Sequence, residues 1–294
     1  MTTETRTLDS EFYETITQKV IDLMETHGTD WTRPWTRAMS GYPRNVITGA
    51  EYRGINIMNL AMTTAAMGWS ASYFASKKQW ESIRGKVNPD ATPVPVVFFK
   101  PTANNKAIFR VWDVYNVDDV TDILMVEPER TAKNSAERLT AVEEWVEGTG
   151  ARIKHQGSTA CYIPSWDEIH MPKFEDFHGV PEYYGTLLHE LVHWTGNKDR
   201  LNRIAHSRFG DEEYAKEELV AELGAAFLSV QHGVTSEPRE DHAKYLNHWI
   251  RVLKEHPKAI FTASAKAQKA VTFMNDLVYN TDVDEATDTI AEVA

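Results

Sequence analysis

The run His189-Glu190-Leu191-Val192-His193 sets two imidazoles four residues apart with a carboxylate between them. On a helix this spacing stacks both rings on one face, one turn apart, so that both can reach a single ion. Glu190 then stands about 100° round the axis from His189, where it can meet a water that completes the ion's coordination. The pattern is that of H-E-x-x-H zinc peptidases. In these the metal acidifies the water and polarises the scissile carbonyl, and the glutamate carries the proton to the leaving amine. The expected catalytic residue is Glu190, and the expected cofactor is Zn2+ or another divalent transition metal held by His189 and His193.

Two imidazoles need a third protein ligand. Downstream, DEEYAKEELVAELGAAFLSV reads as a helix with the apolar stripe Leu219, Leu223, Phe227 and Val230, and it carries Glu218 and Glu222 one turn apart. Glu218 would complete a two-histidine, one-glutamate set. Glu222 would accept a ring N–H from one of the ligand histidines and so fix its tautomer, while Ala225 and Ala226 allow close helix approach. Asp199 competes for the third place, because HELVHWTGNKD also matches the extended metzincin pattern. Glu218 is preferred, since metzincins keep a Met-turn and here no methionine lies between Met171 and Met274. His170, His178, His206 and Tyr214 are further candidates for stabilising a tetrahedral intermediate, although each reads first as a surface or packing residue.

The elements that must position these groups follow from periodicity. Leu187, Leu188, Leu191 and Val192 form an apolar stripe behind the histidines, which predicts the metal helix. Upstream, residues 160–177 read as two short strands around a turn at Ser165 to Asp167. The second, DEIHMP, is expected to form the edge of the cleft, where a substrate peptide adds as an extra strand. Phe12, Ile16, Val20, Leu23 and Met24 predict an opening amphipathic helix, and further helices are predicted at Ile55–Met67 and around Ser76–Gly85. Residues 94–99 and 108–114 read as strands joined by a turn around Asn104 and Asn105.

The 294 residues suffice for two domains of ordinary size. The expected fold class is α+β, with one domain over 1–130, a second over 131–280 and an acidic, mobile tail over 281–294. The boundary falls where the composition turns acidic, to within about ten residues. Cys161 is the sole cysteine, which excludes an intramolecular disulfide and reads as a small buried side chain. Without a leader-like N-terminus or an apolar run long enough to span a bilayer, the chain reads as cytoplasmic, with no membrane partner.

A net charge of −12 argues against nucleic acid until it is divided. Residues 31–112 hold eleven Lys and Arg against three acids, a local +8. The same stretch interleaves rings with cations: Trp31, Arg33, Trp35, Arg37, Tyr42, Arg44, Tyr52, Arg53, Lys77 and Lys78. Single-stranded DNA is bound in this manner, by bases stacking on rings while cations follow phosphates. The alternative is that these rings fill a core and that the basic half docks on a protein.

WTRPW at 31–35, PRNVITGAEYRGIN at 43–56, SYFASKKQW at 72–80 and GKV at 85–87 resemble the N-terminal domain of the ArdC antirestriction proteins. IHMPKFEDF at 169–177, YYGTLLHELVHWTG at 183–196, RLNR at 200–203 and YAKEELVAELGAAFL at 214–228 resemble the zincin-like domain of the same family. The resemblance runs over about residues 9–280. It implies a plasmid-borne protein that binds single-stranded DNA through its first domain, carries a metal at H-E-x-x-H and shields incoming DNA from host restriction. The resemblance leaves the peptidase substrate open, a restriction subunit or another host protein being the candidate partner. A shield with a non-catalytic metal site is the alternative.

Overall fold

The computed structural model describes residues 6–7, 10–37, 39, 41–101, 107–123, 135–204, 212–234 and 243–279. The expected tail at 281–294, the turn at 104–105 and the boundary near residue 130 lie outside these residues. The first half runs β1 (Arg6–Thr7), α1 (Ser10–His27), α2 (Arg33–Arg37), β2 (Arg44–Asn45), α3 (Ile55–Met67), β3 (Tyr73–Ala75), α4 (Lys77–Ser82), β4 (Lys86–Val87), β5 (Val94–Pro101), β6 (Ala107–Asn116) and β7 (Val120–Thr121). The second runs α5 (Ser135–Gly148), β8 (Arg152–His155), β9 (Cys161–Ile163), β10 (Glu168–Met171), α6 (Val180–Thr195), α7 (Glu212–His232), α8 (Ala243–Glu255) and α9 (Ala259–Tyr279). The fold is α+β.

In the first half, β5 and β6 form an antiparallel hairpin whose register runs from Val94 opposite Val114 to Pro101 opposite Ala107. β6 also pairs with β1 and β3, and β3 pairs in parallel with β2, giving a five-stranded sheet. Alternation puts Val94, Val96, Val114 and Phe74 on one face, where they meet Leu60 of α3. The outer edge of β5 is covered rather than bare. Asn56 of α3 donates to the Val97 carbonyl at 2.7 Å and accepts from the Val97 N–H at 2.8 Å, and Asn59 donates to the Pro95 carbonyl at 2.8 Å. Side-chain amides thus substitute for a missing strand and keep the edge from pairing elsewhere. α4 starts at Ser76 because its hydroxyl accepts from the Gln79 N–H while the Gln79 side chain accepts from the Ser76 N–H.

The second half sets a three-stranded sheet, in the order β8-β10-β9, against α6. α7 crosses α6 closely. A Cβ added at Gly224 would lie 2.6 Å from Val192, so glycine at this crossing sets the helix separation. The two halves share one continuous core. Val20, Met24, Trp31, Trp35 and Met58 from the first pack in a single cluster with Leu188, Leu191, Phe227, Trp249 and Met274 from the second. Hydrogen bonds reinforce the junction, from the Thr17 hydroxyl to the Pro257 carbonyl at 2.6 Å, from the Gly54 N–H to Gln268 at 3.0 Å and from Lys254 to Glu25 at 2.7 Å. Among the described residues no helix is long and apolar enough to cross a membrane.

Candidate metal centre

α6 begins after Gly179, with Pro181 in its first turn, and every side chain from Tyr183 to Thr195 is buried. A helix buried on all sides cannot leave two imidazoles without polar partners. α7 supplies them. Nε2 of His189 and Nε2 of His193 stand 3.0 Å apart, and the Glu218 carboxylate straddles the pair, with Oε2 at 3.4 Å from the first and Oε1 at 3.3 Å from the second. One ligand atom from each of the three lies within 4.8 Å of the others. Tetrahedral zinc with nitrogens at about 2.0 to 2.1 Å spaces its ligands about 3.3 Å apart, so this donor set has the dimensions and chemistry for a divalent ion.

The electrostatics agree. Burial alone would lower the His193 pKa, yet the carboxylates of Glu218, Glu217 and Glu190 outweigh it and push the imidazole up to about 10. Burial would likewise raise Glu218, but the two imidazoles hold it well below the usual carboxylate range. The buried site carries an excess of negative charge, which a dication would neutralise. Glu190 is buried beside it, and its Oε2 accepts the backbone N–H of Tyr162 in β9 at 2.8 Å.

Asp199 is exposed on the turn after α6 and stands apart from the converging group. A second carboxylate, Glu217, joins the expected Glu222 at the ring nitrogens of the ligand histidines. Glu222 lies 3.9 Å from His189 Nδ1, long for a hydrogen bond, whereas Glu217 lies 3.4 Å from His193 Nδ1 and is itself held by Arg203. An i, i+4 pattern on one helix favours Glu222, and the contact of Glu217 depends on how α7 is rotated against α6. Arg203 of the RLNR motif takes its place here through its hydrogen bonds to Glu217 and to the end of α6.

The cleft edge needs correction. β10 is the middle strand, parallel to β8 and antiparallel to β9, so no peptide can add to it. The strand beside Glu190 is β9. Ile169 and Met171 enter the core, so Glu168 and His170 point to the opposite face, where His170 meets Glu168 and Gln156 and stands opposite the half-buried Cys161. His178 is exposed and His206 lies outside the described residues. Tyr214, one turn before Glu218, is the candidate that reaches the site. Burial raises its pKa, and a hydrogen bond to Glu218 raises it further.

Of the rings expected to stack on bases, Trp31 and Trp35 have no exposed surface and Tyr52 is 5% exposed. Tyr42 is half-buried with its hydroxyl enclosed. Apolar area is worth more inside than out, and the core drew these rings in. Arg33 and Arg37 lie in α2, which packs on α3 and α7. Arg44, Arg53, Lys77 and Lys78 are exposed, Arg44 being paired with Glu51. The half-exposed Tyr73 sits opposite Arg44 across the parallel β2–β3 pair, a neighbour that local sequence patterns do not reveal.

Residues 10–140 match the family model of the N-terminal domain of anti-restriction factor ArdC, and residues 140–266 match that of a zincin-like metallopeptidase. The chain is 33% identical to the uncharacterized protein y4eC of Sinorhizobium fredii (strain NBRC 101917 / NGR234), over 94% of this chain and 95% of that one. It is 32% identical to an Escherichia coli DNA primase TraC, covering 90% of this chain but 27% of the primase. The crystal structure of the Mn(II)-bound antirestriction ArdC protein from the R388 plasmid superposes with a TM-score of 0.78 at 31% identity, over 93% of this chain and 100% of that one. The metal-free structure of the same protein gives 0.76 at 32% identity, over 92% and 98%.

Proposed function

We propose, from the premise that this chain belongs to the ArdC antirestriction family, that it protects incoming plasmid DNA from restriction by binding single-stranded DNA and working a divalent-metal peptidase centre. The observation that carries the peptidase reading is the convergence of His189, His193 and Glu218 beside the buried Glu190. A divalent ion held by those three would supply Lewis acidity towards a peptide carbonyl and lower the pKa of a water. Glu190 takes the proton of that water and delivers it to the departing amine. β9, whose Tyr162 N–H already reaches Glu190, is the strand along which an extended substrate lies. The exposed Arg44, Arg53, Lys77 and Lys78 follow the phosphates of the DNA.

A second reading, a DNA-binding shield with a non-catalytic metal site, draws on the fact that one oxygen of Glu190 is already engaged by Tyr162. Glu190→Gln separates the two. It leaves the ligands and the DNA surface in place, so zinc content and DNA affinity should match wild type under either reading. Loss of protein cleavage and of antirestriction supports the peptidase, and retained antirestriction supports the shield.

A further inference from the structure

We propose that Arg203 is a positioning residue of the metal centre, acting through Glu217 on His193. The inference rests on the reading of this site as a metal centre. The Arg203 guanidinium is buried between α6 and α7 and makes four hydrogen bonds. Nε donates to Glu217 Oε2 at 3.1 Å and Nη2 to Glu217 Oε1 at 2.9 Å, a two-point grip that fixes the plane of the carboxylate. Nη1 donates to the Thr195 hydroxyl at 2.9 Å, and Nη2 also donates to the Val192 carbonyl at 2.7 Å. Val192 and Thr195 flank His193 along the last turn of α6. One side chain therefore holds both the helix end that presents the imidazole and the carboxylate that faces it.

The consequence concerns which nitrogen of His193 is available. A guanidinium has no acceptor, so both oxygens of Glu217 accept from Arg203, and Oε1 accepts from His193 Nδ1 at 3.4 Å. The carboxylate, having only acceptors, favours the tautomer that carries its proton on Nδ1. Nε2, which faces His189 and Glu218, is left as the ligand atom. Lysine cannot reproduce this arrangement, because a point charge lacks the paired donors that orient a carboxylate and still reach two acceptors on another helix.

The test is zinc affinity of the full chain, read by competition with a fluorescent chelator beside the unfolding midpoint of the metal-free protein. Removing one partner of a buried pair threatens the fold, so the informative variant removes both. Arg203→Met with Glu217→Met replaces the pair by apolar side chains of similar length, a change often neutral for stability. It should fold while binding zinc about 10-fold to 100-fold more weakly. Glu217→Gln, which keeps the shape, should weaken zinc in the same range, and Arg203→Lys should recover part of the loss seen in Arg203→Met. A folded double variant with wild-type zinc affinity would make the pair merely structural and overturn the proposal. Failure of the wild-type chain itself to bind zinc or manganese removes the metal reading and this inference with it, a result distinct from the first.

Discussion

The indole of Trp35 packs edge-on against the ring of Phe227, their centroids 6.5 Å apart. Phe227 lies on α7 nine positions beyond Glu218, about 13.5 Å along the helix at 1.5 Å per residue. The basic, aromatic first half is thus anchored on the helix that carries the candidate third ligand. Trp35→Ala should cost about 3 to 5 kcal/mol of stability, as truncation of a large buried ring does. Denaturant unfolding measures this, and the Trp35→Ala chain should lose DNA and metal binding together as it unfolds. A chain with a wild-type midpoint and a defect confined to DNA would contradict the buried placement.

The third ligand is decided by metal content after dialysis. Glu218→Ala removes the carboxylate that straddles both imidazoles and should leave the protein with little bound zinc. Asp199→Ala changes an exposed side chain away from the converging group and should retain a full complement. The opposite order would falsify the assignment.

In the metal-free chain the His193 pKa, pushed up to about 10, makes the imidazole a cationic partner for three carboxylates. The sign follows from linkage. A raised folded-state pKa contributes stability that is complete below the ordinary value of 6.5 and is lost as pH climbs through about 10. A metal ion must displace that proton. Calorimetric titration with zinc at pH 8, in buffers of different ionisation enthalpy, should therefore report release of about one proton per site, and affinity should rise with pH up to about 10. Binding without proton release would mean that His193 is neutral before the ion arrives.

Much of the fold is legible in the sequence because it is local. The stripes Ile16, Val20, Met24 and Leu187, Leu188, Leu191 predict α1 and α6, and the spacing of the histidines predicts their stacking on one face. Ser76 and Gln79 mark the start of α4 through a capping box that needs four residues. What escapes local patterning depends on which surfaces meet. Trp31 and Trp35 sit among Pro and Arg, as exposed rings would, and are buried because α2 docks on α7. β10 takes the middle of its sheet because β8, itself short and mostly exposed, adds beside it in parallel, a long-range pairing with no local signature. Glu217 faces His193 Nδ1, as Glu222 faces His189 Nδ1, through the rotation of α7 at its close crossing of α6 beside Gly224 and Val192.

With Trp31 and Trp35 buried, the proposed DNA binding falls chiefly to exposed cations. Arg44 and Arg53 flank the turn before α3, and Lys77 and Lys78 open α4. Each phosphate neutralised on single-stranded DNA adds about 0.7 to the slope of log K against log salt. Lys77→Ala with Lys78→Ala should therefore flatten the slope by about 1.4 and weaken binding similarly for all sequences. Arg44 is bound to Glu51 in the free protein and must exchange that partner for a phosphate. Arg44→Ala should accordingly weaken affinity less than either lysine change while still flattening the slope. Tyr73→Ala provides the complementary measurement. Tyr73 is half-exposed and sits beside Arg44 on the β2–β3 pair; if it stacks on a base, its loss should cost about 1 to 3 kcal/mol with little change of slope. If the lysine pair is removed and the salt dependence of single-stranded DNA binding stays as in wild type, the face formed by β2, β3 and α4 is not where DNA binds.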